Sequence, residues 1–556
     1  MGKKNTLVLL LICLICLCTA CSAAPVEPDT SVSSAAEGEA SPTTGTVSLA
    51  FSSTDSLDPY TAVTKYNKEL CELLYDSLIT LDGNFSPVYR LASSVTLAGK
   101  NCTVVLADAR FSDGSTVTAE DVVYSLQKAK KTETRYATQL AGVSSCSASG
   151  AKTVEITLSK SDPYFTNLLD FPILKKGSDE LKNQDGKVLP PIGGGRYIYQ
   201  ADSMLLAANP TYRGGALSLE TIQLVETPDD EALSHNIEVG NISISYSDLS
   251  SNTPLRMTGK NLSVGLNNLV YLGINFGNGY LSEPRFRQAV SLAVDRQKIA
   301  ASAYIGYAAA ANGPFPSSWK EAAGLQTMSS TPEISRAVAL LEEIGYNTKD
   351  EDGYRLNAGG RRITLTLLCN LDNTARTAAA ELLKEQLAAV GIELSVRTVN
   401  WNAYLSELSS GSFDLYIGEV KLQGNMDLSA LVTEKSGACF GYIKTPRQTA
   451  SSTSSASSTS SASAGSAVSA SSGSSAASLT DENVPYVTVS AYDVVNDMYK
   501  GEATLADVLA AFNSELPVIP LCHRAGQLAY SSRIRSTLTP TVSDLFSGIE
   551  TIAFGE

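Results

Sequence analysis

Histidine is scarce in this chain, which has only His235 and His523 among 556 residues. Two histidines far apart in sequence exclude a multi-histidine metal centre and argue against a histidine-based catalytic triad. The Gly-x-Ser-x-Gly, His-Glu-x-x-His and Walker-type motifs are also absent. "SLQK" (125–128) matches Ser-x-x-Lys, but it has no companion motif, and matches of four residues arise by chance. The sequence therefore indicates a protein that is not an enzyme, with a secreted hydrolase as the remote alternative.

Clusters of Lys and Arg are lacking outside the extreme N-terminus, and the formal net charge is −15. Nucleic-acid binding requires clustered cations that neutralise phosphates, so the composition argues against nucleic acid as a partner. Hydrophobic residues make up 43% of the chain and charged residues 18%, which fits an ordinary globular protein. A length of 556 residues exceeds a single core and predicts two to four domains.

A long apolar run is also lacking, since "TLVLLLICLICLC" near the N-terminus has 13 residues. This is too short to span a bilayer but typical of the core of a secretory signal. The run leads into "LCTAC", which resembles a bacterial lipobox, with Cys18 where Leu is more usual. The resemblance implies a lipoprotein signal peptide at residues 1–20, cleavage before Cys21 and diacylglycerol on the Cys21 sulfur. The alternative is a plain secretory signal that is cut nearby.

Cysteines beyond Cys21 are few and scattered. Outside the cell they would either pair or act as small buried apolar residues, and their positions define no connectivity. They are Cys71, Cys102, Cys146, Cys369, Cys439 and Cys522.

Two tracts contain almost no large apolar residues. Residues 21–45 are rich in Ser, Pro and Glu, which predicts a disordered tether with an end-to-end distance of about 25–30 Å. Residues 448–480 are nearly all Ser, Ala and Thr, which predicts an exposed disordered loop.

Between these tracts the pattern is mixed α/β. "ITLTLL" (363–368) alternates as a strand, and "ARTAAAELLKEQLAAVG" follows as an amphipathic helix that Gly391 closes in a left-handed conformation. "IELSVRTV" and "FDLYIG" (413–418) then predict further strands, so the unit predicts a parallel pair joined by a crossover helix. Ser-Glu-Pro at 282–284 begins a second core-building helix.

"RFSDGSTVTAEDVVYSLQ" (110–127) places three carboxylates at the start of a helix. Asp113 belongs to an Asp-Gly turn, Thr118 and Asp121 have the spacing of a capping box, and acidic residues complement the positive end of a helix dipole. No base, nucleophile or metal ligand accompanies them, so we interpret Asp113, Glu120 and Asp121 as structural.

The same stretch, with the preceding "LYDSLITLDGNFSPVYRLASSVTL", resembles the signature region of family 5 extracellular solute-binding proteins, the large receptors of peptide-type ABC importers. The resemblance extends from about Leu49 to Ile552, interrupted by the tract at 448–480. Further segments that match family motifs in family order are "SLDPY", "PPIGGGRYIY", "ANPTYRGG", "IEVGNISI", "LGINF", "FRQAVSLAVDRQKI", "LLEEIGY", "VGIELSVRTVNWNAYLSELSSGSFDLYIG" and "LPVIPL".

The resemblance implies an α/β fold with mixed sheets and flanking helices: a bilobed periplasmic-binding-protein-like clamp of type II, in the large class with an extra subdomain. Two lobes would close on a ligand by a hinge motion. By analogy the parts are a first lobe (46–73, 188–269 and 515–556), an inserted subdomain (74–187) and a second lobe (270–514).

The resemblance also implies ligand-binding residues. Trp401 and Tyr136 match aromatic residues of the family's cleft, although core packing is the alternative for Trp401. Lys65 and Tyr66 belong to a strip that lines the cleft in relatives, and a solvated surface lysine is the alternative for Lys65. Large flat side chains suit such a site because they exclude water without demanding one ligand shape.

The segment after "FDLYIG" departs from the family. Peptide binders usually place a Trp there and, about three residues later, an Asp that pairs with the ligand's α-ammonium. Val420 occupies the first position here, and Gln423 or Gly424 occupies the second. A neutral group forfeits a charge-assisted contact of roughly 1.5–3 kcal/mol. Glu419 and Asp427 are the nearby carboxylates that would replace it.

The expected function is a lipid-anchored receptor on the outer face of the cytoplasmic membrane that delivers a peptide or similar small solute to an ABC permease. It would act as a monomer and need no cofactor or metal. Two alternatives use the same clamp: a peptide-sensing signalling receptor, and a carrier of a sugar or a metal chelate. The ligand's identity and the disulfide pattern are not determined by the sequence.

Overall fold

The computed structural model describes residues 45–131, 135–444 and 489–555. The expected signal peptide, Cys21, nearly all of the tether and the tract at 448–480 lie outside these ranges. Within the described part, every helix is too short or too polar to cross a bilayer.

The described residues form twelve α-helices, and shorter turns of 3-10 or π-helix connect some of them. The helices are α1 (Lys65–Leu74), α2 (Ala119–Lys131), α3 (Arg135–Gln139), α4 (Asp230–Glu238), α5 (Pro284–Ala293), α6 (Arg296–Lys298), α7 (Ile334–Glu343), α8 (Thr374–Ala388), α9 (Trp401–Ser410), α10 (Ser429–Val432), α11 (Ala491–Lys500) and α12 (Leu505–Glu515).

Seventeen strands lie in the same ranges. They are β1 (Val47–Phe51), β2 (Ile79–Leu81), β3 (Pro87–Tyr89), β4 (Ala92–Ala98), β5 (Asn101–Leu106), β6 (Val143–Ala148), β7 (Thr153–Leu158), β8 (Tyr197–Gln200), β9 (Leu205–Ala208), β10 (Thr221–Glu226), β11 (Ile244–Ser247), β12 (Gly259–Ile274), β13 (Ala308–Ala310), β14 (Thr364–Asn370), β15 (Glu393–Val399), β16 (Leu415–Lys421) and β17 (Val518–Ser531).

These strands form four sheets. One four-stranded sheet has the order β1-β10-β9-β8, and a second has the order β4-β5-β7-β6. The seven-stranded sheet has the order β11-β17-β12-β16-β14-β15, with β13 added to β17, and β2 pairs with β3. The sheets are mixed: β1 is parallel to β10, and β14 is parallel to both β15 and β16, whereas the other pairs are antiparallel.

The predicted strand–helix–strand unit is confirmed. β14 and β15 pair in parallel through seven residues, and α8 connects them. The apolar face of α8 is buried at Ala379, Leu383 and Leu387. Gly391 has φ +83° and follows the helix end closely, with its N–H bonded to the Ala388 carbonyl. Local periodicity therefore defines this unit without help from distant residues.

The helix predicted at Ser-Glu-Pro is α5. Its Glu283 side chain accepts the Arg285 N–H, and Pro284 occupies the first turn, where a missing N–H costs nothing. The predicted apolar stripe is fully buried, with no exposure at Phe286, Ala289, Val290, Ala293 and Val294.

β12 and β17 are the two longest strands and pair antiparallel with two register shifts, at Gly265/Leu269 and at Val270/Tyr271. We call the first of these shifts the interruption. Pairing stops at Gly265–Ala525 and resumes at Leu269–His523, so residues 266–268 lie opposite Arg524 alone. On one side of the interruption, residues 527–530 of β17 also pair with β11. On the other side, β12 also pairs with β16, from residue 268 to residue 274. We call these the β11 part and the β16 part of the sheet. Extra residues of this kind form a bulge that bends a strand.

The sheets can be compared with the proposed lobes. β1, β8, β9 and β10 all belong to the ranges proposed for the first lobe, and β4 to β7 belong to the inserted subdomain at 74–187. The interruption in β12 lies beside the proposed boundary between the first and second lobes at 269/270. The exact boundaries remain a prediction.

Candidate functional site

A cavity of about 940 Å³ opens beside α1. Its wall consists of the turn before α1 (59–63), one face of α1, the loop after β11, residues 542–545 near the C-terminus and parts of 75–90. Its volume is near the upper end of the range of about 300–1,000 Å³ that is usual for small-molecule sites. This cavity is therefore the candidate functional site.

The turn before α1 is held in place by Asp55. One of its carboxylate oxygens accepts the Thr64 N–H at 2.7 Å and the Thr64 hydroxyl at 2.6 Å, and the Val63 N–H lies 3.1 Å away. Burial opposes ionisation, but these hydrogen bonds leave the pKa of Asp55 below its ordinary value. The turn projects Val63 towards the cavity with 74% of its surface exposed.

The sequence of α1 has one polar and one apolar face. Lys65, Lys68, Glu69 and Glu72 follow the i, i+3, i+4, i+7 spacing and line the cavity. Leu70, Leu73 and Leu74 lie on the other faces and are buried. The helix therefore presents four charged side chains to a ligand.

The segment "PPIGGGRYIY" packs against the end of α1. The Gly195 N–H donates to the Leu74 carbonyl at 3.0 Å. A Cβ atom at Gly195 would lie 2.5 Å from the Leu73 carbonyl oxygen, and one at Gly193 would lie 2.2 Å from that of Leu74. Only glycine permits this approach, which places the next residue, Arg196, in the cavity wall.

Arg196 joins the cavity to the C-terminal segment. Its guanidinium donates to both carboxylate oxygens of Asp544, one at 3.1 Å, and to Glu550 at 2.6 Å. The Arg196 side chain is 4% exposed. Nearby, Arg90 pairs with Asp76 at 3.3 Å. These cations are neutralised within the protein.

The α1 wall brings the carboxyl group of Glu69 close to other acidic groups. Desolvation raises the pKa of Glu69 well above its ordinary value, and the neighbouring Glu72 and Asp248 raise it further. Lys65 opposes this effect but pairs with Asp230 at 3.0 Å. A cationic group beside these carboxyl groups would favour the ionised form of Glu69.

Two aromatic side chains line the wall, Tyr136 from the subdomain and Tyr60 from the turn before α1. Tyr136 meets Tyr60 edge-on, with 5.8 Å between ring centroids. The Tyr60 ring is buried, and its hydroxyl donates to the Pro172 carbonyl. Tyr60 thus fixes a surface against which Tyr136 packs.

The structure separates the two residues expected on α1. Lys65 lies in the cavity wall, as Tyr136 does. Tyr66 is 6% exposed and packs in a small apolar cluster with Leu233 and Ile237 of α4. Successive helical residues are about 100° apart around the axis, so neighbours on α1 face different surroundings.

Trp401 lies outside both the core and the cavity wall. It begins α9, is 46% exposed and stacks on Tyr404 at 5.6 Å. Its N–H donates to Asp372, just before α8. The start of α8 in turn contacts the loop after β11, where Asn252 lies 3.1 Å from Thr374. Trp401 is therefore linked to the loop after β11 through Asp372 and the start of α8.

Glu419 is occupied by protein partners. One carboxylate oxygen accepts Arg524 at 2.7 Å and Asn268 at 2.8 Å, and the other accepts Arg376 at 3.1 Å. Burial opposes ionisation, but Arg524 and Arg376 hold the pKa of Glu419 below its ordinary value. Two arginines already compensate its charge.

Gln423 is half-buried in a turn that touches the subdomain. Its carbonyl accepts the Met426 N–H at 2.9 Å. The next residue, Gly424, accepts a hydrogen bond from Asn167 at 3.1 Å, and Asn425 donates to Asp162 at 2.7 Å. This turn therefore bridges the β16 part and the subdomain, and Lys421 is the one residue of 270–514 in the cavity wall described here.

The three carboxylates of 110–127 are structural, as predicted. Asp113 accepts the Ser115 N–H at 3.0 Å, and Glu120 pairs with Lys176 at 2.9 Å. Asp121 accepts the Thr118 N–H at 2.8 Å. In the same helix, the Ser125 hydroxyl is fully buried and donates to the Asp121 carbonyl.

The described residues contain no group of three His, Cys, Asp or Glu side chains that is suited to a metal ion. The six cysteines beyond Cys21 are all unpaired thiols, and five of them are buried. In this protein they act as small apolar residues.

Several residues of the wall were not predicted as site residues from the sequence. Glu69 and Glu72 had a signal, because their spacing from Lys65 places all three on one face of a helix. Asp248, Arg196 and Asp544 had none, since only the fold brings these segments together.

The chain is similar to a family of known proteins. Residues 86–432 match the family model of bacterial extracellular solute-binding proteins, family 5 Middle. The oligopeptide-binding protein AppA of Bacillus subtilis is 27% identical over 330 residues, which are 55% of this chain and 59% of AppA. The glutathione-binding protein GsiB of Salmonella choleraesuis is 23% identical over 361 residues, 62% of this chain and 67% of GsiB.

The fold is also that of solved structures. An ABC transporter substrate-binding protein from Sinorhizobium meliloti superposes with a TM-score of 0.68 at 18% identity, covering 92% of this chain and all of that one. The bilobed α/β fold expected from the sequence is thereby confirmed. The chain belongs to family 5 of the bacterial extracellular solute-binding proteins.

Proposed function

We propose that this protein captures a peptide or similar small solute outside the cell and delivers it to an ABC permease. The observation that carries the proposal is the cavity of about 940 Å³ in a member of this family. The names of AppA and GsiB describe binding of oligopeptides and glutathione, which supports a peptide-like solute here. We propose that it binds the solute as a monomer.

The wall has groups suited to the side chains of a peptide and to its terminal ammonium. Tyr136 provides a flat surface for side chains of different shapes. A nearby cation would favour ionisation of Glu69 on α1, and we propose that this cation is the ligand's ammonium. Glu419 is less suited because Arg524 and Arg376 already neutralise it.

Closure would bring further residues to the ligand. Val63 and Trp401 are both highly exposed for apolar side chains, at 74% and 46%. Val63 belongs to the ranges proposed for the first lobe, and Trp401 belongs to the range proposed for the second lobe. We propose that both become covered when the two lobes approach around a bound solute.

Thermal unfolding in the presence of defined peptide pools tests the proposal. A ligand that binds only the folded state adds about 2.7 kcal/mol to stability at a hundred times its Kd, so the unfolding temperature rises. We expect a saturable rise with peptides. If the folded protein responds to no peptide, the peptide proposal is wrong, and a response to sugars or metal chelates would identify the alternative carrier.

Tyr136→Ala and Tyr89→Ala form a matched pair for that experiment. Tyr136 lies in the cavity wall, whereas Tyr89 is 45% exposed and outside it. Loss of an aromatic contact should weaken peptide binding by roughly 0.5–1.5 kcal/mol, about twofold to twelvefold in Kd. Titration calorimetry should show this loss for Tyr136→Ala only. Equal Kd values for both variants would remove Tyr136 from the site.

We further propose that a lipid on Cys21 holds the protein at the outer face of the cytoplasmic membrane. A lipidated protein with two acyl chains stays membrane-bound, whereas one chain gives marginal binding. Cys21→Ser should release the mature protein into the soluble fraction, with Cys146→Ser as the control. Release of the wild-type protein to the same extent would contradict anchoring.

The signalling alternative differs in its membrane partner. Deletion of the permease should abolish uptake of a labelled peptide if the protein serves import. Unchanged uptake with a lost transcriptional response to the peptide would favour the receptor.

A further inference from the structure

Arg524 occupies the interruption between the two longest strands. β17 pairs with β12 on both sides of it, at His523 and Ala525, and Arg524 lies opposite three residues of β12. The Arg524 side chain is 7% exposed. A buried guanidinium at a bulge requires hydrogen-bond partners, and these identify its function.

The partners of Arg524 belong to opposite sides of the interruption. One terminal nitrogen donates to Glu419 on β16 at 2.7 Å. The other donates to the backbone carbonyl of Asp248, which follows β11. The planar fork of an arginine can hold two acceptors at once, whereas the single ammonium of a lysine cannot hold them in the same geometry.

Asp248 begins a stretch of the cavity wall. Asp248, Ser250 and Ser251 line the cavity, with Leu266 from the interruption itself. The Asp248 carboxylate accepts the Ser250 N–H at 2.9 Å, so Asp248 contacts both the backbone of this loop and, through its carbonyl, Arg524. Two hydrogen bonds, both donated by Arg524, therefore link a loop that a solute can touch to Glu419.

We propose that Arg524 is a positioning residue that holds the 248–251 loop against Glu419 and so joins the β11 part to the β16 part. This inference rests on the proposed function, because the loop matters as part of the solute site. This bridge, the two hydrogen bonds that Arg524 donates, holds the cavity wall in its ligand-free arrangement. When the protein closes on a solute, these bonds either persist or are replaced by bonds to other groups.

Hydrogen exchange of the ligand-free full chain, measured by mass spectrometry, tests this inference. Arg524→Gln removes the charge and the fork. We expect amides of residues 248–252 to exchange about tenfold faster, as for loss of a buried charge-assisted bond, while amides of β1 and β10 change less than about twofold. Arg397→Gln is the control, because Arg397 forms an exposed pair with Glu407 at 2.6 Å.

Two further variants keep the test decisive if Arg524→Gln folds poorly. Arg524→Lys retains the charge, so it should protect the loop only in part. Glu419→Gln retains the shape and leaves Arg524 without its anionic partner, so it should loosen the same residues. Unchanged exchange at 248–252, or an equal increase in all elements, would overturn the inference.

The outcome is independent of the peptide experiment. Exchange is measured without ligand, so a failure to find a binding peptide contradicts the proposed function and leaves the bridge intact. Conversely, a peptide that stabilises the wild-type protein, combined with an unaffected loop in Arg524→Gln, would contradict the bridge alone.

Discussion

Glu419 shows what a single residue in a sequence does not reveal. The sequence locates a carboxylate near the position where peptide binders hold an ammonium. It does not reveal that Arg376, 43 residues away, and Arg524, 105 residues away, already compensate that carboxylate. Asp121 is the opposite case, because its partner Thr118 lies within the same turn and could be predicted from spacing.

His523 should make stability depend on pH. It is fully buried, its Nε2 lies 3.2 Å from the Pro314 carbonyl and therefore carries the proton, and burial lowers its pKa to about 4. Because the unfolded histidine binds protons near pH 6.5, protonation favours unfolding. The stability contributed by neutral His523 is complete above about pH 6.5 and falls as pH decreases towards 4.

Urea unfolding at several pH values measures this effect. Between about pH 7.5 and pH 5, His523 alone should remove about 2 kcal/mol from the free energy of unfolding. His523→Gln should lack this component, whereas His235→Gln should retain it because His235 is exposed on α4. The same slope in all three proteins would contradict the assignment.

Helices and strands differ in how far the sequence predicts them. α5, α8 and β14 followed from periodicity, because each buries a face whose pattern recurs within a few residues. The long pairing of β12 with β17 could not be predicted in this way. Gly259 pairs with Ser531, and a local pattern contains no information about so distant a partner. "LPVIPL" marked the start of β17 by resemblance, but the strand continues to Ser531.

Gly195→Ala tests the contact between α1 and the segment before β8. The added Cβ would lie 2.4 Å from the Leu74 carbonyl carbon, so the backbone must shift. We expect a loss of roughly 1–3 kcal/mol in unfolding free energy, typical of overpacking, and weaker binding because Arg196 moves. Gly83→Ala is the control, since nothing lies within 4 Å of its Cβ position. Denaturant melts should give a lower free energy of unfolding for Gly195→Ala than for Gly83→Ala. Equal values would show that the backbone accommodates the added Cβ without cost.

The molecule as a whole should change shape when it binds, and its two tryptophans provide a measure. Trp319 is 1% exposed and packs against Phe315, whereas Trp401 is 46% exposed. With a peptide that raises the unfolding temperature, iodide quenching should fall in Trp319→Phe, which retains Trp401. It should stay constant in Trp401→Phe. Constant quenching in both would mean that binding does not cover Trp401.

The cavity joins remote parts of the chain: the Leu545 N–H donates to Glu72 of α1 across 473 residues, and Val542 to Leu545 complete the wall. Translation would therefore have to pass Leu545 before this cavity wall could form. A nascent or clipped chain that lacks residues 542–545 would lack this part of the wall, so we expect it to bind no solute.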